Sequence, residues 1–282
     1  MGQRGQGQRR QAGLSAVAGS VQCEVRDGVA WVTLSHPGKF NAMSRAMWRD
    51  LKAVASGWRQ LPDLRCVVLQ GEGGHFCAGG DIAEYPGFRF EEASLRDFHE
   101  NDVWGALAAL RACDVPLVAA IEGNCMGAGI EMASCCDIRV AGSGARFGAP
   151  IAKLGFPMAP REAQLVLAAV GEVTAREMLL EAAVLPASTL LQRGFLTRLV
   201  PDAGVQAEAA ATAGRVAALA PRTARAHKQV LRALGSAALA TDAVSNLLPG
   251  AYGYADSAEH REGIEAFLAK RPAQFPPLES TP

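Results

Sequence analysis

What constrains this chain most is a change of rhythm near residue 150. Before it, short apolar runs alternate with segments of helical spacing; after it the pattern is almost wholly helical. The runs Val21–Val25, Val29–Leu34, Cys66–Leu69, Leu117–Ile121 and Ile138–Ala141 have strand length, and Asp27-Gly28 between the first two is a hairpin turn. Ser44 is a natural N-cap for a helix carrying Met47, Leu51, Val54 and Trp58 at helical spacing, which Pro62-Asp63 ends. Glu91–Arg111 reads as one helix, and Ile130–Cys136 as a buried one. From Pro160 on, Ala-rich segments punctuated by Gly171, Pro186, Gly194, Pro201, Pro221 and Pro249 read as helices alone. The order predicts an α/β protein with a core over 21–200 and a helical C-terminal region over 201–282. Residues 1–20, with Arg4, Arg9 and Arg10 and no acid, are expected to form a tail outside the fold; their apolar stretch is short for an export signal.

Charge narrows the function classes. Lys and Arg total 28, as do Asp and Glu, so no global field draws the chain to nucleic acid or an anionic membrane. Arg45, Arg49, Lys52 and Arg59 recur on the first helix as a stripe that could meet RNA, but Asp50 interrupts it and a solvated face is the favoured reading. No segment has the length and apolarity of a membrane span. The seven cysteines are odd in number, lack a CxxC pair and include the adjacent Cys135 and Cys136. That suits reduced thiols and a cytoplasmic protein.

Two loops share one design, a short apolar strand running into a Gly/Ala turn: His75-Phe76-Cys77-Ala78-Gly79-Gly80-Asp81-Ile82 and Gly123-Asn124-Cys125-Met126-Gly127-Ala128-Gly129-Ile130-Glu131. Small residues let backbone N–H groups approach a ligand, and two such groups on one oxygen make an oxyanion hole. Neither loop fits a dinucleotide fingerprint or a P-loop, and no HExxH or other His/Cys cluster offers a metal site. Cys77 and Cys125 are read as packing residues.

Together, at this spacing and in this order, the loops resemble the two oxyanion motifs of the crotonase (enoyl-CoA hydratase/isomerase) superfamily. Lys39-Phe40-Asn41-Ala42-Met43 resembles that family's CoA-cradling motif, Cys136-Asp137-Ile138-Arg139 and Arg146-Phe147-Gly148-Ala149-Pro150 the segments beyond the second hole, and Ala220-Pro221, Lys228 and 257–270 its closing helices. The resemblance spans about residues 21–275. It implies a ββα spiral core with a C-terminal helical trimerisation region, a homotrimer or homohexamer, and an acyl-CoA thioester as substrate. No cofactor is implied beyond the coenzyme A carried by that substrate.

By the same resemblance, the N–H groups of Ala78 and Ala128 hold the thioester oxygen and Glu131 is the general base. Lys39, Ala42, Gly79, Gly80, Asp81, Ile82 and Gly127 line the CoA and pantetheine path, and Phe267 and Lys270 on the last helix touch CoA from a neighbouring subunit. The chain departs from the hydratase pattern at Ile151, where a second glutamate is usual, and at Pro157-Met158-Ala159-Pro160-Arg161, where a Gly-rich stretch is usual. Glu162 and Glu84 are weighed as substitutes for the missing carboxylate. One base suffices to move a proton between α and γ carbons, so isomerisation stays open beside hydration, as do decarboxylation and thioester hydrolysis. The rival class is an acyl-CoA binder without turnover.

Overall fold

A computed structural model describes residues 18–236, 245 and 248–275. The tail expected over 1–20 lies outside the described residues except for 18–20, and Ser20 already begins the first strand. The last residues of the helical region, 276–282, also lie outside them.

The main sheet has six strands in the order β1 (Ser20–Arg26), β2 (Val29–Ser35), β3 (Cys66–Gly71), β4 (Leu117–Ile121), β6 (Ile138–Gly142), β9 (Arg198–Val200). Only β1 runs antiparallel to its neighbour. A second, three-stranded sheet joins β5 (Asn124–Met126), β7 (Arg146–Gly148) and β8 (Val184–Pro186). The central strands are continuous apolar runs because both their faces are covered. Val67, Leu69, Leu117, Ala119 and Ile121 point into the larger core. Cys66, Val68, Val118, Ala120 and Val140 point the other way, onto Val205, Ala209 and Ala213.

Those last three residues belong to α8 (Val205–Ala217), so the first helix of the C-terminal region is part of the sheet's cover. The other helices in chain order are α1 (Arg45–Gly57), α2 (Glu92–Asp97), α3 (Trp104–Ala112), α4 (Ala128–Ser134), α5 (Pro160–Val170), α6 (Glu172–Leu180), α7 (Ala187–Gln192), α9 (Pro221–Ser236) and α10 (Ala258–Leu268). Ser44 caps α1 as its sequence implies, its hydroxyl accepting from the Met47 N–H at 3.2 Å.

Two expectations are corrected. The span after Pro160 is not helical throughout: β8 and β9 lie within it, too short for period-2 alternation to register. Glu91–Arg111 is not one regular helix, because a π-helical segment over Phe98–Val103 separates α2 from α3. Such segments insert an extra residue into a turn and gather at functional sites; this one carries Phe98, His99 and Val103 to a cavity wall. The basic stripe on α1 is the solvated face expected, with Arg49, Lys52 and Arg59 exposed, though part of it is paired. Arg45 and Arg49 donate to the buried Asp102 carboxylate at 2.7 and 2.8 Å, and Lys52 reaches the Asn101 carbonyl at 3.2 Å.

Gly129 lies inside α4, where alanine would ordinarily favour the helix by about 1 kcal/mol. A Cβ there would stand 2.9 Å from the Cys77 carbonyl oxygen. Gly129→Ala is therefore expected to lower stability by roughly 1–3 kcal/mol, against its helix propensity. Denaturant unfolding of the two proteins checks the sign.

Candidate active site

The two glycine loops are hydrogen-bonded into one unit. The Cys77 N–H donates to the Asn124 carbonyl at 2.8 Å, and the Met126 N–H to the Cys77 carbonyl at 2.9 Å, a parallel bridge pairing Cys77 with Cys125. Gly127, with φ 45° and ψ −107°, then turns the chain into α4 in a conformation closed to side-chain-bearing residues. Its own Cβ position lies 3.6 Å from the Gly79 Cα, so the two turns touch. Ala128 is the first residue of α4, where no helical carbonyl precedes its N–H.

This junction forms one wall of a cavity of about 550 Å³. Lys39, Ala42, Ala78, Gly79, Gly80, Asp81, Ile82, Gly127, Ala128, Glu131, Ile151 and Phe267 all line it. Lys270 does not: it sits exposed just past the end of α10 with φ 53°. Two placements carry detail that spacing cannot supply. The Ala78 N–H donates to the Phe40 carbonyl at 3.0 Å, so it must turn or be shared before it can serve a ligand. The Lys39 ammonium is 2.5 Å from Asp81, whose other oxygen accepts from the Ala83 N–H.

The deeper wall is charged and dry. Glu131 opens onto the cavity from the first turn of α4; burial and the neighbouring Glu162 carboxyl push its pKa up to about 8. Glu162, on α5 and only 2% exposed, is raised for the same leading reason, burial. Desolvation disfavours the charged form of each, and two carboxylates this close do not both ionise readily. Glu162 shares a hydrogen bond of 3.1 Å with Nδ1 of His99, and His99 lines the cavity. Burial holds His99 well below the usual histidine range, so it is a neutral imidazole whose Nε2 is buried without a partner.

Arg89 completes this wall. It is 1% exposed, stacks over the rings of Phe156 at 4.0 Å and Tyr85 at 4.4 Å, and donates to the Tyr254 hydroxyl at 3.1 Å. Sequence reasoning singles out neither Arg89 nor His99. Glu162 was weighed, and the structure brings it behind the cavity through His99, whereas Glu84 instead accepts from the Arg45 backbone N–H at 2.8 Å. Nothing in local spacing marks these positions, because His99 and Glu162 are 63 residues apart. Cys77 is a packing residue: burial pushes its thiol up to about 12, and His75 Nδ1 instead accepts from the Asn124 N–H at 3.2 Å.

Comparison with known proteins agrees with this geometry. Residues 24–277 match the family model described as enoyl-CoA hydratase/isomerase. The chain is 30% identical over 257 residues to a probable enoyl-CoA hydratase of Mycobacterium bovis, covering 90% of this chain and 96% of the relative. It is 31% identical over 248 residues to the mevalonyl-coenzyme A hydratase of Beauveria bassiana, covering 85% and 88%. Among solved structures, an enoyl-CoA hydratase/carnithine racemase of Magnetospirillum magneticum superposes with a TM-score of 0.74 at 34% identity, covering 91% of this chain and 95% of that one.

The carboxyl pair makes stability depend on pH. Both groups ionise near 4.5 when unfolded and near 8 when folded, so between those values the folded state holds more protons. Their contribution is present below pH 4.5 and is lost as pH rises through about 8. Glu162→Gln removes one such group and relieves the other. Its melting temperature, relative to the parent protein, is expected to climb from pH 5 to pH 8; thermal melts across that range measure it.

Proposed function

The chain belongs to the enoyl-CoA hydratase/isomerase family, and we propose that within it the protein hydrates 2-enoyl-CoA thioesters, with Glu131 as the general base. The observation that carries this reading is that Glu131 and the Ala128 N–H occupy one turn of α4 and face one cavity. A base and an oxyanion donor are thereby held on one rigid element.

In this reading the thioester carbonyl oxygen accepts from the Ala128 N–H, and from Ala78 once that donor turns from Phe40. Glu131 takes a proton from water as the water oxygen bonds to the β carbon. The electron pair of the double bond moves onto the thioester oxygen, and the enolate then collects a proton at the α carbon. Losing one oxyanion donor costs roughly 3–4 kcal/mol of transition-state stabilisation. Ile151 offers no second carboxylate, so we assign the second proton-handling role to the Glu162–His99 pair, whose imidazole lines the same cavity. Lys39 and the half-exposed Phe267 mark the open end, where the coenzyme would lie.

Double-bond isomerisation is the second reading, and Ile151 on the cavity wall is the observation that favours it. A single base serves both ends of an allylic proton transfer, and an apolar wall keeps water from the intermediate.

Assembly into trimers or hexamers is supported by α9. One side of that helix is tied down, with Arg225 donating to the Leu64 carbonyl at 2.8 Å and Lys228 to Val115 at 2.9 Å. Its other side exposes Val230, Leu231 and Leu234, the last two at 70% each. Apolar patches of this kind mark association surfaces. Among the described residues no helix is long and apolar enough to cross a membrane. The free thiols of all seven cysteines support a reducing, cytoplasmic setting.

Loss of the conjugated-thioester absorbance of crotonyl-CoA is expected with the purified protein. Glu131→Gln should slow it by at least about 100-fold, and the parent kcat/KM should rise with pH toward 8, as the base ionises. If crotonyl-CoA is untouched while a 3-enoyl-CoA is converted, isomerisation replaces hydration; if neither reacts, the chain binds without turnover. Sedimentation should give a trimer or hexamer, and the double variant Leu231→Lys, Leu234→Lys smaller species.

A further inference from the structure

A guanidinium in a protein interior normally finds a carboxylate, because an uncompensated buried charge is among the costliest features a fold can carry. Arg89 does not follow that rule. Among the described residues its side chain hydrogen-bonds only the neutral Tyr254 hydroxyl, at 3.1 Å, its Nε is buried without a partner, and no carboxylate pairs with it. Phe156 and Tyr85, themselves packed edge to face, lie against it and hold the fork in place without neutralising it. The same side chain lines the cavity that holds Glu131 and the start of α4. Neighbouring Glu131 and Glu162 are raised by burial, so they are weak counter-ions at neutral pH.

We infer that Arg89 receives a carboxylate carried on the acyl chain, so that the preferred substrate is the mono-thioester of a dicarboxylic acid. The inference rests on the reading of this cavity as an acyl-CoA site and adds the substrate class. Arg89 is placed for the acyl end rather than for the coenzyme phosphates. It is 1% exposed, whereas Phe267, which marks the mouth, is 54% exposed. The planar fork suits a carboxylate, which it can meet with two parallel N–H donors. A neutral acyl chain of the same length would leave the cation buried and unpaired, so discrimination works by rejection as much as by attraction.

Two pairs of ligands test this without relying on one reaction. Binding is measured by calorimetry with the unreactive glutaryl-CoA and pentanoyl-CoA. Turnover is measured with glutaconyl-CoA and 2-pentenoyl-CoA. The carboxylated member of each pair is expected to be preferred by about 10- to 100-fold, the range for a hydrogen bond to a charged group. Arg89→Met should collapse that ratio, and Arg89→Lys should restore part of it. Circular dichroism of each variant confirms folding, and the parent protein's preference is itself decisive if a variant fails to fold. Equal binding of glutaryl-CoA and pentanoyl-CoA, or a preference for the neutral member, overturns the inference even if crotonyl-CoA is hydrated. Tighter binding of glutaryl-CoA with no hydration of any enoyl-CoA upholds it and overturns the proposed reaction instead.

Discussion

The structure depends on the backbone bridge that ties Cys77 to Asn124 and Met126. Separately the two glycine turns are ordinary connections between strand and helix. Joined, they set the Gly79 backbone against Gly127, aim the start of α4 into a cavity and fix where Glu131 can stand. Side chains would prevent this at several points. A Cβ on Gly129 would meet the Cys77 carbonyl, and one on Gly80 would stand 2.0 Å from the Tyr85 hydroxyl oxygen. The glycines are there because two backbones and a ring share the space. The main sheet supplies the rigidity, since β3 and β4 are adjacent parallel strands and each leads directly into one of the loops.

Behind that junction the dominant physics is desolvation. Glu131, Glu162, His99 and Arg89 are brought together from four separate segments, and burial is the leading cause of the shift at both carboxyls and the imidazole. A base needs to give and take a proton near working pH, and removing water from a carboxyl moves it in that direction. The cation in the group limits how far the carboxyls rise, since its charge favours their ionised forms. The π-helical segment places Phe98, His99 and Val103 on the cavity wall and Asp102 against Arg45 and Arg49.

Most of the frame was legible in the sequence because its causes are local. Asp27-Gly28 dictates a hairpin, Ser44 a helix start, and the runs at 66–69 and 117–121 two buried strands, all where local chemistry places them. Twelve of the thirteen residues singled out for the site line one cavity, since they come from contiguous motifs, and Lys270 is the exception. What was not legible is nonlocal. Strands of three residues, β8 and β9, declare themselves only through their partners β7 and β6. The Phe40 carbonyl on the Ala78 N–H goes with two consecutive left-handed residues, Phe40 and Asn41; that conformation is common for Asn but against the propensity of Phe. Arg89 reads as one more surface arginine until its aromatic neighbours are seen.

Ile151 is best understood together with these buried groups. An apolar side chain where a carboxylate is usual removes one charge from the cavity, and it packs into a cluster with Tyr85, Phe156 and Ile264. That cluster supplies the two rings that pack against Arg89. A glutamate at 151 would bring an anion into the same cavity that the Arg89 guanidinium lines. It would also add a third acid to a site where two already resist ionisation together. With Ile151 apolar, the ionisable groups of the inner wall are Glu131, His99 and Arg89, with Glu162 behind them.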